Sequence, residues 1–128
     1  MANPTPFEGG HVPPSELSEQ IALVRALSRA NIKFFAVPNG GRRSRLEGAR
    51  LRASGVMAGV PDLILVTPPK GLTMPTALEL KRSDGKAYNV SPKQREWLDR
   101  LAGLGWSTVV AFGCSDAIKR LRLLGYEL

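Results

Sequence analysis

Gly59-Val60-Pro61-Asp62-Leu63-Ile64-Leu65-Val66, then a proline-rich break, then Thr76-Ala77-Leu78-Glu79-Leu80-Lys81, is the stretch on which the fold turns. Both ends are short runs of Leu, Ile, Val and Ala bounded by Pro and Gly, the pattern of strands covered on both faces. Embedded in them are two carboxylates and one amine, groups that are expensive to bury unless paired or bound to a metal. Residues two apart in a strand share a face about 6.6 Å apart, so Glu79 and Lys81 point the same way and Leu78 and Leu80 the other. Asp62 opens a strand that lies about 4.8 Å from the Glu79 strand if the two pair. Two acids and a lysine so delivered fit one divalent cation and an activated water. The plainer alternatives are a cross-strand ion pair for Glu79 and Lys81 and a turn role for Asp62.

Working outward, helix signals frame these strands. Ser15 follows Pro13-Pro14 and opens a helix running to Ala30-Asn31, with Leu17, Ile21, Val24 and Leu27 as its apolar stripe and Leu23 at the margin. Phe34 to Val37 reads as a strand ended by Pro38-Asn39-Gly40-Gly41. Ser44 and Glu47 make a capping-box pair for a second helix ending at Gly55. Strands follow at Asp62 to Val66 and Thr76 to Lys81. Ser91-Pro92 opens a third helix, ending at Gly105, that turns Trp97, Leu98, Leu101 and Leu104 inward. Ser107 to Phe112 is the last strand, and Ser115 caps a final helix through Leu124. The order α-β-α-β-β-α-β-α predicts an α/β fold, a mixed sheet flanked by helices.

Polar residues on inward faces extend the candidate site. Gln94 stands four residues before Leu98 and seven before Leu101; it serves as the capping-box partner of Ser91, as a site residue, or as both. Gln20 falls inside the apolar sector of the first helix, with Glu16 one turn earlier and Glu19 at its edge. A buried polar group usually has a partner, which makes Glu16 a candidate further acid with Glu19 as its rival; favourable first-turn charge is the alternative. Arg42, Arg43, Arg45, Arg50 and Arg52 crowd one short span, suited to gripping phosphates or forming a solvated basic face.

The whole chain of 128 residues suits one domain, residues 15–128, behind a flexible lead-in of residues 1–14 that holds four prolines and two glycines. A net charge of +7 favours a polyanionic partner, nucleic acid before membrane. The single cysteine, Cys114, excludes an internal disulfide and, with the single histidine, His11, excludes a zinc site; it reads as a small core residue beside Phe112. No apolar run reaches the ~20 residues of a membrane span, so a cytoplasmic location is expected. Tyr88 and Trp106 could stack on bases, packing being the simpler reading.

Pro61-Asp62 with Glu79-Leu80-Lys81 is the PD-(D/E)xK nuclease signature. Together with Pro38-Asn39-Gly40-Gly41, Ala58-Gly59-Val60-Pro61-Asp62-Leu63 and Ser91-Pro92-x-Gln94-x-x-Trp97-Leu98, it resembles the VRR-NUC nuclease family over roughly Ser15 to Phe112. The resemblance implies a restriction-endonuclease-like αβββαβ core, with the final helix beyond it, and Mg²⁺- or Mn²⁺-dependent hydrolysis of DNA. It implies metal ligands at Asp62 and Glu79, a catalytic Lys81, a supporting Gln94, and Glu16 as the helix-one acid. It also implies homodimers acting on branched DNA such as Holliday junctions, in replication or repair. The competing readings are a catalytically silent DNA-binding domain on the same fold and, less well supported for want of an aromatic strand platform, an RNA-binding module.

Overall fold

A computed structural model describes residues 12–38 and 44–128. Most of the expected lead-in, the Asn39-Gly40-Gly41 turn, and Arg42 and Arg43 lie outside the described residues. The elements are α1 (Glu16–Arg29), β1 (Phe34–Ala36), α2 (Arg45–Ala53), β2 (Leu63–Leu65), β3 (Thr76–Lys81), α3 (Pro92–Gly103), β4 (Ser107–Phe112) and α4 (Cys114–Leu124). A 3₁₀ turn at Ala87–Asn89 lies between β3 and α3. The expected order is thus the observed one.

The helix starts follow from side-chain caps. Ser15 Oγ accepts from Ser18 N–H, and Ser44 and Ser91 form reciprocal capping boxes with Glu47 and Gln94. Each cap satisfies donors that a helix leaves unpaired and is worth about 1 kcal/mol.

The sheet order is β1-β2-β3-β4, antiparallel except for the parallel β3–β4 pair. A parallel pair needs a crossover, which α3 supplies. Leu63 lies opposite Leu78, and Leu78 opposite Val109, so Leu63, Leu65, Leu78, Leu80, Val109 and Ala111 share one face. Leu23 and Leu27 of α1 and Ala117 and Leu121 of α4 close over that face as one core. α3 covers the other face of β3 and β4, burying Leu98. β3, central and flanked on both edges, is buried from Thr76 to Leu80.

The structure corrects several expectations. Leu17 is 67% exposed and Ile21 45%, while the supposed marginal residue Leu23 is fully buried. The covered sector of α1 centres on Gln20, Leu23 and Leu27, and at about 100° per residue Leu17 and Ile21 fall well to its side. Contact with both the sheet and α4 sets this rotation, not the density of apolar residues. Leu104, 70% exposed, is the residue after the end of α3 rather than an inward position. β1 and β2 are shorter than expected, ending at Ala36 and spanning only Leu63 to Leu65. β2 is also less covered than its composition suggested: Ile64 is half-buried and Val66 exposed. α3 sits over β3 and β4, and α2 buries none of its residues, so neither closes the second face of β2.

The start of α4 is the most instructive difference. Its N-cap is Gly113, with φ +93°, not Ser115, and the cap makes no side-chain hydrogen bond. The first N–H group, on Cys114, is taken by Glu19 Oε1 of α1 at 3.0 Å. At φ +93° the turn favours glycine, and a methyl group there would also crowd Glu19 Oε2 and Ser83 Cβ at 3.0 Å.

Candidate functional site

The site is built where β2 and β3 run side by side. Continuing the Leu63–Leu78 register by one residue puts Asp62 opposite Glu79, and paired positions share a face. Asp62 Oδ2 accepts from Leu80 N–H at 2.7 Å, and its backbone carbonyl accepts from Val37 N–H at 2.8 Å. Both bonds fix the carboxylate at the entrance of β2.

Glu79 is 1% exposed, in the middle of the central strand. Its Oε2 accepts from Gln94 Nε2 at 3.0 Å and lies 3.6 Å from Lys81 Nζ. Its Oε1 is, among the described residues, the buried side-chain polar atom with no hydrogen-bond partner. Lys81 Nζ donates to Gln94 Oε1 at 3.0 Å. The same Oε1 accepts from Ser91 N–H at 2.8 Å. The two readings of Gln94 are therefore one arrangement: its oxygen caps α3 and holds the lysine, while its NH₂ group holds Glu79.

The electrostatics are those of charge held under strain. Burial, reinforced by the negative charge of Asp62 and only partly opposed by Lys81, pushes the Glu79 carboxyl up to about 8. Burial also raises Asp62, against the lowering effect of the Leu80 N–H bond. The two carboxyl groups are close enough to share a hydrogen bond when one is protonated. Like charges this close favour whatever neutralises one of them, a proton or a cation.

Glu16 is exposed at the near end of α1, in a polar cleft it lines with Lys81, Arg82, Asp84, Gly85, Tyr88 and Asn89. Its carboxyl is held above the usual range, chiefly by burial and against the pull of Lys81. Among the described residues no three His, Cys, Asp or Glu side chains cluster as a metal-binding group; Glu16 lines the cleft without closing a three-acid set. Glu19 is engaged elsewhere, as the cap of α4.

Arg45, Arg50 and Arg52 are exposed on α2, and among the described residues none forms an ion pair with an acid. Arg45 and Arg52 line a cavity of about 410 Å³ with Leu51 and the Val56–Gly59 segment. That segment leads directly into Pro61-Asp62. At Gly59, with φ +84°, a methyl group would lie 2.8 Å from the Lys93 backbone and 3.0 Å from Gln94 N. The loop that delivers Asp62 thus passes in main-chain contact with the helix turn that delivers Gln94. Trp106 is half-buried, whereas Tyr88 is 83% exposed.

Two features had no clear local signal. The capping role of Glu19 spans 95 positions of sequence to Cys114. The cleft that joins Glu16 to Arg82, Tyr88 and Asn89 depends on the 3₁₀ turn, which follows the Ser83-Asp84-Gly85 turn residues.

A family model described as the VRR-NUC domain matches residues 16–113. No curated protein matches the chain. A solved structure described as a VRR_NUC domain protein is similar, with a TM-score of 0.70 and 24% sequence identity, covering 92% of this chain and 100% of the other. At that identity the likeness speaks for the fold.

Proposed function

Because the chain belongs to the VRR-NUC family, a family of nuclease-type domains, we propose that it is a metal-dependent endonuclease acting on branched DNA. The observation that carries this reading is Glu79: a buried carboxylate with one oxygen unpartnered, beside the half-buried acid Asp62 and a lysine. Such a group fits a hard divalent cation such as Mg²⁺ or Mn²⁺, whose preferred ligands are oxygens. Asp62 and Glu79 would hold the ion. When bound, the ion neutralises charge gathering on a phosphate and lowers the pKa of a water.

The chain's own groups divide the remaining tasks. Gln94 keeps the Lys81 ammonium beside Glu79. From there the ammonium offers its other N–H bonds to a phosphate oxygen or to the incoming water. Hydrolysis adds the water oxygen to phosphorus and breaks the P–O3′ bond. The departing O3′ takes up a proton, leaving 5′-phosphate and 3′-hydroxyl ends. Glu16, at the rim of the cleft and within electrostatic reach of Asp62 and Lys81, would add negative charge beside the two ligands. Arg45, Arg50 and Arg52, with Arg42 and Arg43, would hold the DNA backbone, contacts that position a duplex without reading its sequence. Paired cuts across a junction would need two such sites, hence a homodimer.

The test is cleavage of a panel of four-way, flap, splayed and nicked DNA with Mg²⁺, Mn²⁺ or neither. Cation-dependent cleavage, best on a branched member and abolished by Asp62→Asn or Glu79→Gln with binding retained, is the expected result. Equal activity in parent and variants would remove the metal-site reading. Binding without cleavage under every condition would favour a silent DNA-binding domain.

A further inference from the structure

The cleft beside Lys81 contains a feature that phosphate chemistry does not use. Tyr88, in the 3₁₀ turn, is 83% exposed, the most exposed of the large apolar side chains among the described residues. It lines a polar space of about 490 Å³ together with Glu16, Lys81, Arg82, Asp84, Gly85 and Asn89. That volume lies within the ~300–1,000 Å³ of small-molecule sites.

The turn that presents the ring is fixed. Asn89 Oδ1 accepts from Lys86 N–H at 2.7 Å, Asn89 N–H donates to the Lys86 carbonyl at 2.8 Å, and Val90 behind it is buried. Arg82 and Asp84 pair through two bonds of 2.9–3.0 Å and hold the preceding loop. A tyrosine on a held turn has only its two side-chain torsions left to fix on binding. Stacking of bases on aromatic side chains is how proteins hold unpaired nucleotides, and it tolerates any base.

We propose that this cleft takes an unpaired nucleotide adjoining the scissile phosphate, with its base stacked on Tyr88. The inference rests on the nuclease reading for the position of the phosphate, at Lys81. It deepens that reading by naming the part of the substrate this cleft holds. A base inside continuous duplex is stacked on its neighbours and cannot reach the ring. A base at a flap or a splayed end is free to do so, and a base pair at the branch point of a junction has only one stacked neighbour to leave.

The experiment uses the full chain in metal-free buffer, so that no DNA is cut. The probe is branched DNA carrying one 2-aminopurine at the unpaired position next to the branch, with a continuous duplex of the same sequence as control. Expected for the parent and for Tyr88→Phe is quenching of the probe on binding. Expected for Tyr88→Ala is no quenching and roughly 5- to 150-fold weaker binding of the branched DNA, the range set by stacking energies, with duplex affinity unchanged. Quenching by Tyr88→Ala equal to the parent's would overturn the proposal, as would an equal loss on both DNAs. Tyr88-dependent quenching by a parent that later proves unable to cut would sink the nuclease reading while upholding the stacking one. Failure to bind any DNA would overturn both.

Discussion

The centre of the sheet and helix α2 are built on opposite terms. At β3 Glu79 is buried and Lys81 largely so, both spaced by the strand and tied to α3 through both ends of the Gln94 amide. On α2 every arginine is exposed, none of the helix is buried, and its charges pair with no acid among the described residues. Groups that must meet a reacting phosphorus need positions fixed to a fraction of an ångström. Groups that only attract a polyanion need charge and reach, and lose little by being loosely held.

The contrast is tested hardest at Glu79. Glu79→Gln should lower cation-dependent cleavage by at least about 10²-fold, the scale of several kcal/mol of charge stabilisation. The same variant should fold normally. Cleavage within a factor of two of the parent would place the chemistry elsewhere.

Acidity supplies the next test. The folded-state pKa of Glu79, about 8, lies above its ordinary 4.5, so folding favours the protonated acid. Its contribution to stability is complete below about pH 4.5 and is lost as the pH rises through about 8. The urea midpoint of metal-free protein should therefore fall between pH 5 and pH 8. Glu79→Gln should flatten that fall, and millimolar Mg²⁺ should reverse part of it by binding the deprotonated site. A parent and variant with parallel profiles would show that burial imposes no such strain.

Gln94 separates support from capping. Gln94→Ala should cost about 1 kcal/mol of stability through its cap and about 10- to 100-fold in activity, as for groups that orient metal-site residues. Ser91→Ala should cost similar stability and leave cleavage nearly intact. Matching activity losses in both variants would reduce Gln94 to a helix cap.

The smallest effect belongs to α2. Arg45→Ala with Arg52→Ala should change stability by less than about 0.5 kcal/mol. The slope of log affinity against log salt should fall by roughly two units. An unaltered slope would make those arginines a solvated face.

What could be read ahead of the structure was local or periodic. The three serine caps lie within three residues of their partners, and the alternation of β3 placed Glu79 and Lys81 on one side. The convergence of Asp62 with Glu79 needed only the assumption that adjacent strands pair. The rotation of α1 was not legible, because Leu17 and Ile21 are as apolar as Leu23 and only packing against α4 and the sheet chooses among them. Nor was the capping of α4, where a glycine turn and a glutamate from the other end of the chain do together what a neighbouring serine would normally do.

The close passage at Gly59 has a consequence for how this protein can vary. Where side chains meet, a gap can be widened or narrowed by exchanging one residue for another. Between Gly59 and the first turn of α3 there is bare backbone on one side and backbone with a single Cβ on the other. The spacing between the acid-bearing loop and the amide-bearing helix thus leaves no room for a side chain at position 59. Substitution there can only force the two segments apart.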